Sequence, residues 1–276
     1  MPETIHTHFN KTDESFNSAL PERYDLALQF SEKEVSYSLF EPERNKFIAA
    51  GTFRTPIDEF MDSTPWLKGA FHSTRIIIEN NKSTLFPSVF FDPDEKEKYL
   101  SFIVEQDGSD LVYFDNMVSL DIISVYSVPG SLTEKLGKYF PGSRIRHIST
   151  ALIESVWVNY KNLIQGKRVF INVRIDNFDL LVFDGNQLSY FNSFPFQTPE
   201  DLAYYVIFVF EQMNLNPEEV GVTLFGKVEK NSPVFDLLFK YIRNIEMGVR
   251  NETFTFSYVF RDVPGHSLYT LLNPGS

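Results

Sequence analysis

Cysteine is absent from the 276-residue chain. That excludes disulfides, thiolate nucleophiles, zinc–thiolate sites and iron–sulfur clusters. Long apolar runs are absent as well. The longest, LAYYVIFVF at 202–210, falls far short of the roughly 20 residues a membrane-spanning helix needs. The N-terminal stretch MPETIHTHFNKTDESFNSALPE is polar with no apolar core, so no secretory signal is read there and a cytoplasmic location is expected. Basic residues are scarce: 25 Lys and Arg against 37 Asp and Glu give a formal net charge of −12. Such a surface repels phosphate backbones and anionic lipids, so neither nucleic acid nor membrane is an expected partner. Glycine is sparse too, at 13 residues. No Ser–His–Asp order and no glycine-flanked serine elbow is visible, so acyl-transfer chemistry has no support.

What is present is apolar and aromatic. Hydrophobic residues make up 43% of the chain, and the 28 Phe are suited to filling wide sheet–helix interfaces. The length fits one large domain or two intimately associated ones. Residues 1–22 read as an N-terminal arm. From Tyr24 onward, Leu26–Phe30, Val35–Phe40 and Phe47–Phe53 form a meander of strands with turns at Ser31–Glu34 and Glu41–Lys46. A short helix follows at Pro56–Met61, then a hairpin over Asn80-Asn81 and a helix capped by Asp92 or Asp94. Two strands in DLVYFDNMVSLDIISVYSV lead to a helix in GSLTEKLGKYF, whose Ser131 and Glu134 read as a capping box, and to a strand in SRIRHIS. TALIESVWVNYKNLIQG reads as one long helix with Leu152, Val156, Tyr160 and Leu163 on one face and Gly166 as C-cap.

From Lys167 the pattern starts again. Val169–Ile175, Leu180–Asp184 and Leu188–Phe194 form a second meander, with its second turn at Asp184-Gly185-Asn186. A helix capped by Thr198 follows, with Pro199 at its first position. VGVTLFG is a strand, SPVFDLLFKYIRNI a helix, TFTFSYVF a strand and GHSLYTLL a final helix or turn. A meander followed by helix and strand thus occurs twice, which argues for internal duplication and for halves at 23–150 and 151–276. In each half the strand after the helix must cross over and add in parallel.

This duplicated order resembles the actin-like ATPase superfamily, the ribonuclease-H-like fold. It is most similar to the type IV pilus assembly branch and the cell-division actin homologues. DIISVYSVPGSLTEKLGKYFPGSRIRHISTALIESVWVNY is similar to the stretch linking the halves in that branch. The chain also resembles a bacterial family of this size, of unknown function, with the actin-like fold. The resemblance spans about residues 24–260. It implies an α/β fold of two mixed sheets with flanking helices and a cleft between the halves, with nucleotide in that cleft.

In that superfamily each meander's first turn reads Asp-x-Gly, the glycine letting backbone approach phosphate while the carboxylate holds the magnesium–water shell. Here Gln29 stands at the first Asp position and Ser31 at the first Gly position. Asn172 and Arg174 occupy the same positions in the second turn. In the adenosine segment Gly226 is kept, but Lys227 replaces the second glycine. Amides in place of both carboxylates remove the anions that hold a divalent cation, and an Arg side chain fills space a glycine leaves open. These six residues are therefore the candidate nucleotide-cleft positions, with no catalytic residue, no metal ligand and no cofactor expected.

Other constellations read more simply as structure. Asp176 and Asp179 flank Asn177 but lack the ligand number and glycine of a calcium loop. His6 and His8 offer two imidazoles only, and His147 reads as a buried, hydrogen-bonded residue. Arg144, Arg146 and Arg174 are candidates for an anion site, with internal salt bridges the simpler use. The expected function is a non-catalytic, protein-binding or scaffold module with an unidentified protein partner; homo-oligomers are compatible with it. By resemblance its surface falls around 54–125, with the hairpin at 74–86 offering an edge strand. The alternatives are a divergent ATPase, for which Asp25, Glu32, Asp121 or Asp176 would supply the acid with ATP and magnesium as cofactors, and a nucleotide or anion sensor using Arg174 and Gly226.

Overall fold

Val35, Tyr37 and Leu39 alternate with Ser36 and Ser38, and that alternation of large apolar with small polar side chains makes a strand with two unlike faces. The computed structural model describes residues 6–104 and 108–273, without the side chains of residues 6–8. The chain divides into two compact units: one of Met1–Ala151 and Glu252–Asp262, the other of Leu152–Asn251 and Val263–Gly275.

In the first unit β1 (His6–Thr12) precedes a meander of β2 (Asp25–Phe30), β3 (Val35–Glu41) and β4 (Lys46–Arg54). Leu26 faces Leu39, Leu28 faces Tyr37 and Phe30 faces Val35, so one face of the meander is continuous hydrocarbon, buried with Phe53, Phe60, Met61 and Leu67. On the other face, Ser36 and Thr52 share a hydrogen bond between hydroxyls at 2.9 Å. Helix α1 (Ile57–Ser63) follows, then β5 (Ser73–Ile78), which adds in parallel beside β2. A separate sheet is made by β6 (Ser83–Pro87), β7 (Asp110–Met117) and β8 (Ile122–Pro129) in the order β6-β8-β7. Helix α2 (Lys96–Ser101) packs there, with Leu100 against Ile123 and Val125. Helix α3 (Gly130–Tyr139) and β9 (Arg144–His147) complete the run, β9 lying parallel to β5. Helix α4 (Ile148–Tyr160) carries the chain from the first unit into the second.

The second unit holds β10 (Lys167–Val173), β11 (Asn177–Asp184) and β12 (Gln187–Pro195), then α5 (Pro199–Gln212), β13 (Gly221–Gly226), α6 (Pro233–Tyr241) and β14 (Ile245–Met247). A last short strand, β15 (Thr255–Phe256), returns to the first unit parallel to the start of β4. One face of β10 and β11, carrying Val169, Ile171, Leu180 and Val182, packs under α5 and α6 through Leu202, Val206 and Leu238. Rings occupy the other face: Phe170 meets Tyr160, Phe183 and Phe225, and Phe225 stacks on Tyr269 at 4.0 Å. Phenylalanine is common in this chain because both faces of the sheet are covered.

The two main sheets repeat one order. The first reads β4-β3-β2-β5-β9, extended at the β4 edge by β1, and the second reads β12-β11-β10-β13-β14. In each, an antiparallel meander is followed by two strands added in parallel beside its first strand. The expected two mixed sheets with flanking helices are present.

Several local expectations give way. Residues 6–12 were expected within an arm and instead form β1, antiparallel to β4. Tyr37 donates its hydroxyl to Asn10 Oδ1 at 2.6 Å, and Asp13 accepts from Lys46 and Ser257. Residues 1–5 and the side chains of His6 and His8 lie outside the described residues. The 74–86 hairpin does not form: β5 is interior, between β2 and β9, while β6 pairs with β8. Helix α3 follows β8 directly and begins at Gly130, with no side-chain cap, so Ser131 and Glu134 are not a capping box. Helix α4 ends at Tyr160, which leaves Leu163 beyond it and 65% exposed, and Gly166 outside the helix as well. Asp92 caps a 3-10 turn that leads into α2. Thr198 and Asp201 form a full capping box on α5. The strand expected over TFTFSYVF shortens to β15 and a 3-10 turn.

Candidate functional site

In an open α/β sheet, ligands bind outside the carboxyl ends of the strands where the strand order reverses. In the first sheet that point lies between β2 and β5, ending at Phe30 and Ile78; in the second it lies between β10 and β13, ending at Val173 and Gly226. All six sequence-selected residues fall at these two points: Gln29 and Ser31 at the first, Asn172, Arg174, Gly226 and Lys227 at the second.

At the first point Gln29 Nε2 donates to Glu79 Oε2 at 2.5 Å, spanning the gap between the ends of β2 and β5. Ser31 closes the turn on itself. Its amide donates to the Glu34 carbonyl, and its Oγ accepts from the amides of Glu34 and Lys33. Glu34 is buried and takes Arg54 Nε at 3.3 Å.

The second point is built around a carboxylate that the sequence reading did not select. Asp179 is fully buried on β11, directly opposite Asn172 on β10 and Ser193 on β12. Its Oδ1 accepts from Arg174 Nη2 at 2.9 Å and from Ser193 Oγ at 2.5 Å, and its Oδ2 accepts from Asn172 Nδ2 at 3.1 Å. Arg174 and Asn172 are each 6% exposed. A buried ion pair persists only where further hydrogen bonds satisfy the charges, and Asn172 and Ser193 supply two of them. Asp176, by contrast, lies exposed in the turn.

Gly226 ends β13 with φ +82, and a Cβ there would lie 2.1 Å from the Val173 carbonyl oxygen and 2.8 Å from Asn172 Oδ1. Only glycine fits. Its amide donates to the His266 carbonyl at 2.9 Å, while the Lys227 amide donates to Val173 at 2.7 Å. The Lys227 side chain is exposed. His266 Nε2 lies 2.6 Å from the Val228 carbonyl, which can only accept, so that nitrogen carries the proton. Burial pushes the His266 imidazole below its ordinary range, against the pull of that carbonyl. The C-terminal segment thus clasps the end of β13 from two sides.

The remaining candidates are dispersed. Asp25 is at the start of β2, the opposite end from the strand-order reversal, where its Oδ1 takes Ser73 Oγ at 2.6 Å and lies 2.7 Å from His72 Nδ1. Asp121 closes the β7–β8 turn in the left-handed region at φ +55, and Glu32 is exposed in the Ser31–Glu34 turn. His147 is 1% exposed, as its sequence context suggested, with Nδ1 2.7 Å from Ser149 Oγ and Nε2 3.1 Å from Asn80 Oδ1. Its amide donates to Asp115 at 2.9 Å. Burial pushes the Asp115 carboxyl up, opposed by that amide and by the charge of Arg146. Arg146 is 2% exposed and Arg144 exposed, so this pair does not form an open anion site. Among the described residues no three of His, Asp and Glu are grouped so as to hold a metal ion, and no helix is long and apolar enough to cross a membrane.

A family model described as a protein of unknown function, DUF3822, matches residues 13–245. The chain belongs to this family. No curated protein matches the sequence. Solved structures similar to this DUF3822 chain include the following two. One is a Bacteroides thetaiotaomicron protein with actin-like ATPase fold and unknown function: TM-score 0.78, 20% identity, covering 84% of this chain and 93% of that one. The other is the PilM–PilN type IV pilus biogenesis complex: TM-score 0.61, 11% identity, covering 91% of this chain and 97% of that one. The DUF3822 chain has the actin-like ATPase fold, in keeping with its twofold repeat of one strand order.

Proposed function

We propose that the DUF3822 chain is a non-catalytic actin-like module that works by binding another protein. The observation that carries the reading is the Arg174–Asp179 ion pair: the side chain at the turn position where the superfamily keeps bare backbone for phosphate is turned inward and neutralised. An anion at that turn would have to compete with a carboxylate already hydrogen-bonded by three donors. The clasp of His266 on Gly226 and the Gln29–Glu79 hydrogen bond act in the same direction at the other two motif positions.

Support for a protein partner comes from the first unit's separate sheet. Strands β6 and β7 are both edges. Around them Val89, Phe90, Phe102, Ile103, Phe114 and Val118 are exposed, Phe90 by 71% and Phe102 by 77%. Apolar exposure concentrated in one module marks an interaction surface. PilM, which has a similar fold, was solved in complex with a protein partner, PilN. The proposed surface falls in the 54–125 region that the resemblance implies, on the β6-β8-β7 sheet and its turns.

Two measurements test the proposal. Calorimetric titration with MgATP is expected to give no saturable heat, and phosphate release to stay at the buffer rate; micromolar binding with turnover overturns it in favour of a divergent ATPase. A native pull-down is expected to retain a protein that Phe90→Asp/Phe102→Asp loses. An identical set retained by both forms contradicts the surface assignment.

A further inference from the structure

Helix α5 carries a stripe of residues that the core leaves largely uncovered. Ala203, Val206, Val209 and Phe210 belong to the core, whereas Glu200, Tyr204, Ile207, Phe208 and Glu211 recur at helical spacing along a second face, with Ala203 buried at its edge. Together with Leu237 and Tyr241 of α6 they line a groove of about 440 Å³ in the second unit. Its aromatic walls are open to solvent: Tyr204 is 65% exposed, Phe208 44% and Tyr241 54%. The rings of Tyr204 and Phe208 stack on each other. The charged lining is of one sign, Glu200 at one end and Glu211 at the other, eleven residues or about 17 Å apart along the helix. Lys240 of α6 does not line it.

We propose that this groove docks an amphipathic helical segment of a protein partner, one with an apolar stripe and a Lys or Arg at each end. The length fits about three helical turns, and a floor of i, i+3 and i+4 side chains is suited to receiving a second helix. The two glutamates select the charge of the occupant and set its register. A second copy of this chain is disfavoured by the same logic, because its net charge of −12 meets an acidic rim. The proposal goes beyond the reading above, concerns the other unit, and does not depend on nucleotide binding.

The test uses the full chain and two labelled helical peptides of about 18 residues, long enough to fill the groove. Both carry one leucine stripe; one has lysines, the other glutamates, spaced as Glu200 and Glu211 are. Fluorescence anisotropy is expected to show the lysine peptide binding about tenfold more tightly, with Glu200→Lys/Glu211→Lys reversing the order. Tyr204→Ser/Phe208→Ser, which leaves both glutamates in place, is expected to weaken the lysine peptide by about tenfold or more. An order unchanged by the double charge reversal would indicate attraction to the acidic surface at large and overturns the proposal. So does binding of neither peptide. Self-association of the chain that Phe208→Asp abolishes also overturns it, by making the occupant a second copy.

Discussion

The two main sheets share strand order and direction yet solve the same strand-order reversal by opposite means. In the first, a neutral amide reaches a half-exposed carboxylate, Gln29 to Glu79, and Ser31 closes the adjoining turn onto Glu34. In the second, a guanidinium and a carboxylate are driven into the sheet's interior and paired, Arg174 to Asp179. The first arrangement is partly open to solvent; the second is buried. Common topology therefore constrains where a ligand site would be, and the individual side chains decide whether there is room for one.

The largest expected effect follows from breaking the second arrangement. Asp179→Ala leaves Arg174 buried without its carboxylate and is expected to cost about 3–5 kcal/mol, read as a fall in the urea midpoint. An effect under 1 kcal/mol would mean the guanidinium swings out to water. Gly226→Ala forces a Cβ against the Val173 carbonyl at φ +82, with an expected loss of about 2–4 kcal/mol in the same assay.

The first sheet is extended by its added edge strand, β1, and the residue that follows it, Asp13, makes that edge sensitive to pH. Burial would raise the Asp13 carboxyl, but hydrogen bonds from Ser257, the Ser15 amide and Lys46 override it and hold it well below the usual carboxylate range. A carboxyl depressed on folding contributes stability above its unfolded pKa of about 3.9 and loses it as pH falls below that value toward the folded one. Asp13→Asn is therefore expected to cost about 1–2 kcal/mol at neutral pH and to flatten the acid limb of the stability profile. An unchanged acid limb would assign it to other carboxylates. The smallest effect is expected at the first reversal point. Gln29→Ala is expected to change stability by about 0.5 kcal/mol or less, because its hydrogen bond is partly exposed.

Both meanders were legible in the sequence because strand alternation and turn chemistry agreed locally: Val35–Leu39 alternates, and Gly185 at φ +56 fits a tight two-residue turn. Asn80-Asn81 resembles a hairpin turn, yet β5 and β6 do not pair with each other. Asn80 is used otherwise, its Nδ2 donating to the Ser127 carbonyl while the chain passes from one sheet to another. Strand β1 gave no apolar alternation, since HTHFNKT is held by Tyr37 and, next to it, by Asp13 with Lys46 and Ser257, far apart in sequence. The positions of Gln29, Ser31, Asn172, Arg174, Gly226 and Lys227 could be read from the sequence. Their partners could not: Glu79 and His266 lie 50 and 40 residues from Gln29 and Gly226 and follow no periodic pattern. Asp179 did leave a signal, a lone charge between Phe178 and Leu180 in a strand buried on both faces, which requires a nearby cation.

The most direct test is a crystal structure grown in excess MgATP analogue. Arg174 is expected to remain hydrogen-bonded to Asp179, with no triphosphate against the β10–β11 turn. Density for a triphosphate on the Arg174 amide, with the guanidinium displaced from Asp179, would contradict it.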